Sequence, residues 1–106
     1  MAEQLDRYAT YLWQEQKRHP YYRIQTTDHR IARKLKKRQN CNLVGHGINT
    51  PLWIFNIKYS SPRKALKGLA NITRSSVENS DEKGVFVAYT LPDMDIRKDS
   101  GRDKNG

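Results

Sequence analysis

Six cations stand within nine residues at positions 30–38, Arg30, Arg33, Lys34, Lys36, Lys37 and Arg38, and no carboxylate lies among them. That density suits one kind of chemistry, in which fixed positive charges meet the phosphates of a nucleic acid and release the counterions condensed on it. Segment 26–40 has the pattern of a short amphipathic helix. At about 100° per residue, Ile31, Ala32 and Leu35 fall on one face and Arg30, Arg33, Lys34 and Lys37 on the other, with Lys36 and Arg38 on the flanks. Thr27 or Asp28 can cap it, because a side-chain oxygen there accepts a bond from an orphan N–H of the first turn. A helix that need only be soluble usually mixes signs, since Glu/Lys pairs four apart stabilise and like charges cost a little. This segment carries one sign only, and reads as a surface for polyanion.

Arg63, Lys64 and Lys67 make a second group, behind Ser60 or Ser61 as cap and Pro62 at a first helical position. A helix start offers free N–H groups and the positive end of the dipole, so cations there oppose the dipole and point to a bound anion. This start is loosely similar to the Lys-rich one of double-stranded RNA-binding domains, whose strand order does not match. The candidate nucleic-acid-binding residues are therefore Arg30, Arg33, Lys34, Lys37, Arg38, Arg63, Lys64 and Lys67, with a merely solvated charged face as the competing reading.

Other chemistries find little support. Between residues 21 and 74, twelve cations face a single acid, Asp28, so the carboxylates that a metal-dependent nuclease needs are missing. His19, His29 and His46 are far apart and accompanied only by Cys41, which gives no zinc spacing, so neither metal nor cofactor is expected. Gly45 and Gly47 around His46 fit a hairpin connection. A metal-independent ribonuclease using His46 with Arg and Tyr side chains is a minor reading; no catalytic residue is assigned, and the chain is not read as an enzyme.

The charge is unevenly placed: of the net +9, residues 1–20 contribute nothing, 21–74 contribute +11 and 75–106 contribute −2. With 106 residues, 36% hydrophobic, and a mean hydropathy of −0.94, the chain has room for one domain with a modest core. Cys41 has no partner for a disulfide, which fits a reducing, cytoplasmic setting. The N-terminus lacks the cationic and apolar pattern of a signal peptide, and the apolar run 52–55 is far too short to span a bilayer, so no membrane partner is expected.

The elements that would position these residues follow from periodicity. Leu5, Tyr8, Ala9, Leu12 and Trp13 recur at helical steps, predicting a first helix over 2–18 that ends before Pro20. A strand at 21–26, the basic helix, a short strand at 42–44, a strand at 52–59 with both faces apolar, a helix from 62 to about 78 and a strand at 85–90 come next. The expected domains are an N-terminal helix (1–20), a basic α+β domain (21–91) and a disordered charged tail (92–106). Strand, helix, strand, strand, helix, strand is the ferredoxin-like βαββαβ order: a four-stranded antiparallel sheet with two helices on one face, here with an extra N-terminal helix. That first helix, or a second copy in a homodimer, would cover the remaining face.

Trp53, Phe55 and Tyr59 alternate along one strand, where an open sheet would let them stack bases. Such an architecture resembles the RNA-recognition motif, whose glycine-bearing third-strand signature is absent, and core packing is the stronger expectation. The sequence thus predicts a small basic protein that binds nucleic acid mainly through phosphates, RNA somewhat ahead of DNA. The alternative is a small interaction or inhibitor protein of a mobile element, docking on an acidic protein surface.

Overall fold

In the computed structural model, which describes residues 7–15, 20–93 and 96, the expected first helix is replaced by a strand, β1 (Tyr8–Gln14). Tyr-Ala-Thr-Tyr-Leu-Trp-Gln satisfies a period of two as well as a helical one. Its aromatic and β-branched residues favour the pleated solution once neighbouring strands are present. Strand β2 (Tyr21–Thr26) pairs with it, and α1 (His29–Lys36) follows. Then come strands β3 (Cys41–His46) and β4 (Trp53–Lys58), helix α2 (Pro62–Thr73), and strands β5 (Val77–Asn79) and β6 (Val85–Thr90).

The six strands form one antiparallel sheet in the order β3-β4-β2-β1-β6-β5. The ferredoxin-like four-stranded sheet with an extra N-terminal helix is therefore overturned. β1 inserts between β2 and β6, and β5 adds an edge where the periodicity predicts the end of a helix. Three consecutive strand pairs result, joined by two helices. α1 carries the chain from β2 past β4 to the edge strand β3, and α2 carries it from β4 across to the opposite edge, β5.

Local chemistry sets the helix ends. Asp28 caps α1 by accepting from the Arg30 N–H, and Ser61 caps α2 by accepting from the Lys64 N–H, with Pro62 in the first turn. Helix α2 stops at Thr73 rather than near residue 78 because Arg74 turns left-handed (φ 58°) and donates its N–H to the Ala70 carbonyl at 2.8 Å. Ser75 and Ser76 are poor helix formers, so Val77 is released to pair with Ala88.

Register sorts the side chains into two faces. Leu12, Ile24 and Phe55 stand side by side across the sheet, as do Tyr22 and Ile57, and all are buried with Ile31, Ala32 and Leu35 of α1 and Ala65, Leu69 and Ile72 of α2. Both helices thus cover this face. Phe55, with no exposed surface, is a core residue, and base stacking on it is ruled out. The opposite face, carrying Tyr11, Trp13, Gln25, Ile54 and Tyr89, is covered by no helix among the described residues and is half-exposed. Among the described residues, the expected first helix does not cover the Ile54 side of β4, because that segment is strand β1. Ile96 is fully buried in the core cluster, so the start of the charged tail is anchored by its apolar residue; residues 94–95 and 97–106 lie outside the described residues.

Candidate nucleic-acid interface

An eight-residue helix is marginal alone, and α1 persists because Ile31, Ala32 and Leu35 are buried against the sheet. Burying that stripe forces the remaining side chains outward. Arg33, Lys36, Lys37 and Arg38 are exposed, and on α2 so are Arg63, Lys64 and Lys67. Among the described residues none of these seven side chains makes an ion pair or hydrogen bond. From His29 to Val77 the chain contains no carboxylate, so both helices present cations only.

Two of the eight predicted residues have other work. The Arg30 guanidinium closes on Asp28, with Nε 3.0 Å from Oδ1 and Nη2 2.8 Å from Oδ2, and also donates to the carbonyls of Leu91 and Pro92. Lys34 donates from Nζ to the Ile72 carbonyl at 3.0 Å, satisfying an orphan acceptor in the last turn of α2 and tying the two helices together. Arg30 and Lys34 hold the fold, and the remaining six, Arg33, Lys37, Arg38, Arg63, Lys64 and Lys67, are available to a ligand.

Under α1 lies a buried polar network that fixes its orientation. Asp28 has no exposed surface, takes a hydrogen bond from the Thr90 hydroxyl at 2.8 Å, and sends its own N–H to Thr26 Oγ1, which pairs with Thr10 Oγ1. Burial pushes the Asp28 carboxyl up, but the hydrogen bonds from Arg30 and Thr90 outweigh it and hold the group below its ordinary value. Asp28 therefore stays ionised and fully engaged, and its charge is not displayed to solvent. His29, Arg33 and Lys37, one turn apart along α1, line a cleft of about 450 Å³ with Arg30, Lys34 and Ile96. His29 was missed as a member of this stripe, although its spacing of four from Arg33 was visible.

At the other end of α1, Arg38 acts on two buried groups. The Cys41 thiol is pushed up to about 11 by burial, against a small opposing pull from Arg38, so it is protonated and inert at neutral pH. Burial likewise raises Tyr59, with Arg38 again opposing; its hydroxyl is buried without a hydrogen-bond partner among the described residues and packs against Gly68 of α2. Both helices pack on the same face of the sheet, so both cation groups stand on one side of the molecule.

No group of three or more His, Cys, Asp or Glu among the described residues is placed to hold a metal ion, and none of their helices is long and apolar enough to cross a membrane. The arrangement can hold phosphates by charge. Comparison of the chain with protein-family models, with curated proteins and with solved structures finds no match to any of them.

Proposed function

We propose that this chain binds nucleic acid through the phosphate backbone, using the outer surface of its two helices. The observation that carries the reading is the exposure of Arg33 on α1, Lys37 and Arg38 at its C-terminal end, and Arg63, Lys64 and Lys67 on α2, while the one acid near them, Asp28, is buried and neutralised by Arg30. Charges held on helices that are pinned to a sheet lose little freedom on meeting a phosphate, which favours binding. Contacts of this kind fix position and carry no base information, so affinity should be similar across sequences. A reducing, cytoplasmic setting suits the single buried thiol, Cys41.

The test replaces Arg33, Lys37 and Arg38 together by Ala and measures binding to single-stranded RNA, duplex RNA and duplex DNA at several salt concentrations. Each lost phosphate contact should flatten the slope of log affinity against log salt by about 0.7 to 0.9, so three should remove roughly 2 to 3. Circular dichroism should show the fold retained, because all three side chains are exposed. Unchanged affinity and slope would overturn the reading and leave docking on an acidic protein surface as the better account of the same cations.

A further inference from the structure

The face of the sheet turned away from the helices holds a different surface. Trp13 lies across from Arg23 and Val85, Tyr11 across from Gln25 and Val87, and Ala9 across from Tyr89. Val87 is almost completely buried yet lies outside the core cluster, because the half-exposed residues of this face enclose it. On this face opens a groove of about 780 Å³ lined by the aromatic and apolar Tyr11, Trp13, Val85 and Tyr89 and by the acids Glu78, Asp81 and Glu82. The acidic side is ordered by the β5–β6 turn. Ser80 N–H donates to the Val85 carbonyl at 2.9 Å, Glu82 N–H donates to Ser80 Oγ at 3.1 Å, and Gly84 takes the left-handed conformation (φ 83°) that closes the turn. No Lys or Arg lines the groove; Lys83, on the same turn, is not part of it.

The sign of the acids selects the occupant. An aromatic lining accepts nucleobases, apolar groups and cations alike, but three carboxylates repel phosphate, and an uncharged ligand would leave them unused. The molecule itself displays the favoured contact at the edge of this face, where the Arg7 guanidinium sits over the Tyr89 ring at 3.7 Å from its centroid. We infer that the uncovered sheet face is a docking groove for a cationic peptide segment of a partner protein, whose Arg or Lys heads lie over Tyr11 and Trp13, beside the Tyr89 ring that Arg7 already covers, and pair with Glu78, Asp81 and Glu82. The volume is that of an ordinary ligand cleft, enough for a few long side chains of an extended chain. Because the groove and the cationic helices face opposite ways, nucleic acid and peptide can be held at once, and this inference stands or falls independently of the phosphate-binding proposal.

Trp13 is its own reporter. In the full-length protein carrying Trp53→Phe, which leaves Trp13 as the one tryptophan, a hexa-arginine peptide is titrated in about 0.15 M salt, where screening over about 8 Å suppresses the distant charges. A saturable change in Trp13 emission is expected, with hexa-glutamate giving none. Combining Glu78→Gln, Asp81→Asn and Glu82→Gln, all at exposed positions, should weaken binding roughly tenfold, and Tyr11→Leu about fivefold, with circular dichroism verifying the fold. Silence of Trp13 towards hexa-arginine, or equal affinity in the neutralised variant, would overturn the inference. So would a Trp13 response to single-stranded RNA, which would make the face a base-stacking platform. A dimer in light scattering that hexa-arginine dissociates would equally overturn it, by making a second copy of this chain the occupant.

Discussion

The guanidinium of Arg30 meets both carboxylate oxygens of Asp28, at 3.0 and 2.8 Å, on a carboxylate with no exposed surface. Removing one member of such a pair strands the other: Arg30→Ala should cost about 3 kcal/mol, most of it the penalty of an uncompensated buried charge. Urea denaturation at pH 7 reads this directly, and a loss below about 1 kcal/mol would show that the pair is only decorative.

The same contact makes a pH prediction of definite sign. The Asp28 carboxyl is lower in the folded protein than its unfolded value of about 3.9, so its contribution is fully present above that pH and is lost as pH falls through the folded value. Stability should therefore decline below about pH 4, and Asp28→Asn should be less stable at pH 7 yet decline less on acidification. An equal acid decline in both proteins would assign the effect to other carboxylates.

Much of this was written in local sequence, and the rest was not. The bounds of β2 and β6, the caps Asp28 and Ser61, and the outward face of the basic helix all follow from side-chain chemistry acting within a few residues. β1 was misread because Leu12 and Trp13 can be placed on a helical stripe, whereas in the sheet they face opposite sides, Leu12 in the core and Trp13 in the uncovered groove. The period-two pattern of Ala9, Tyr11 and Trp13 was the signal available. β5 is three residues long with one apolar side chain, too short for any period to register. That Lys34 would be engaged by the Ile72 carbonyl depends on how the helices pack, 38 positions apart, and no local rule reports it.

Gly68 sits in α2 where an alanine would ordinarily raise helix stability by about 1 kcal/mol. Here a Cβ would collide with the ring of Tyr59, which is held edge-to-face against Tyr22 at 5.8 Å between centroids. Gly68→Ala should therefore lower the melting temperature, with an overpacking cost of about 1–3 kcal/mol exceeding the gain in propensity. Adding Tyr59→Phe, which deletes the unpartnered hydroxyl nearest the new methyl, should restore part of the loss; additive effects would show that the two positions do not touch.

Ile96 tests whether the charged tail is dispensable, as its composition suggests. Its side chain is completely buried in the core cluster. Ile96→Ala should cost about 2–5 kcal/mol, and a chain ending at Asp93 should be destabilised at least as much. Thermal melts of the two variants decide the matter, and a truncated chain as stable as the parent would show that the segment contributes nothing to the core.

The sorting of cations into those that hold the fold and those that face a ligand can be checked one residue at a time. Lys34→Ala removes a hydrogen bond to the end of α2 and should cost about 1 kcal/mol of stability, while leaving the salt dependence of nucleic-acid binding unchanged. Lys37→Ala removes an exposed charge with no partner among the described residues, so it should change stability by less than about 0.5 kcal/mol. Its effect should appear in the salt slope instead, as a decrease of about 0.7 to 0.9. The two lysines are three residues apart, one on α1 and one at its C-cap, and carry the same charge, so a general loss of positive field would affect both variants alike. Opposite signatures in stability and slope would require that Lys34 be engaged by the fold and Lys37 by phosphate; identical slopes in the two variants would refute that division.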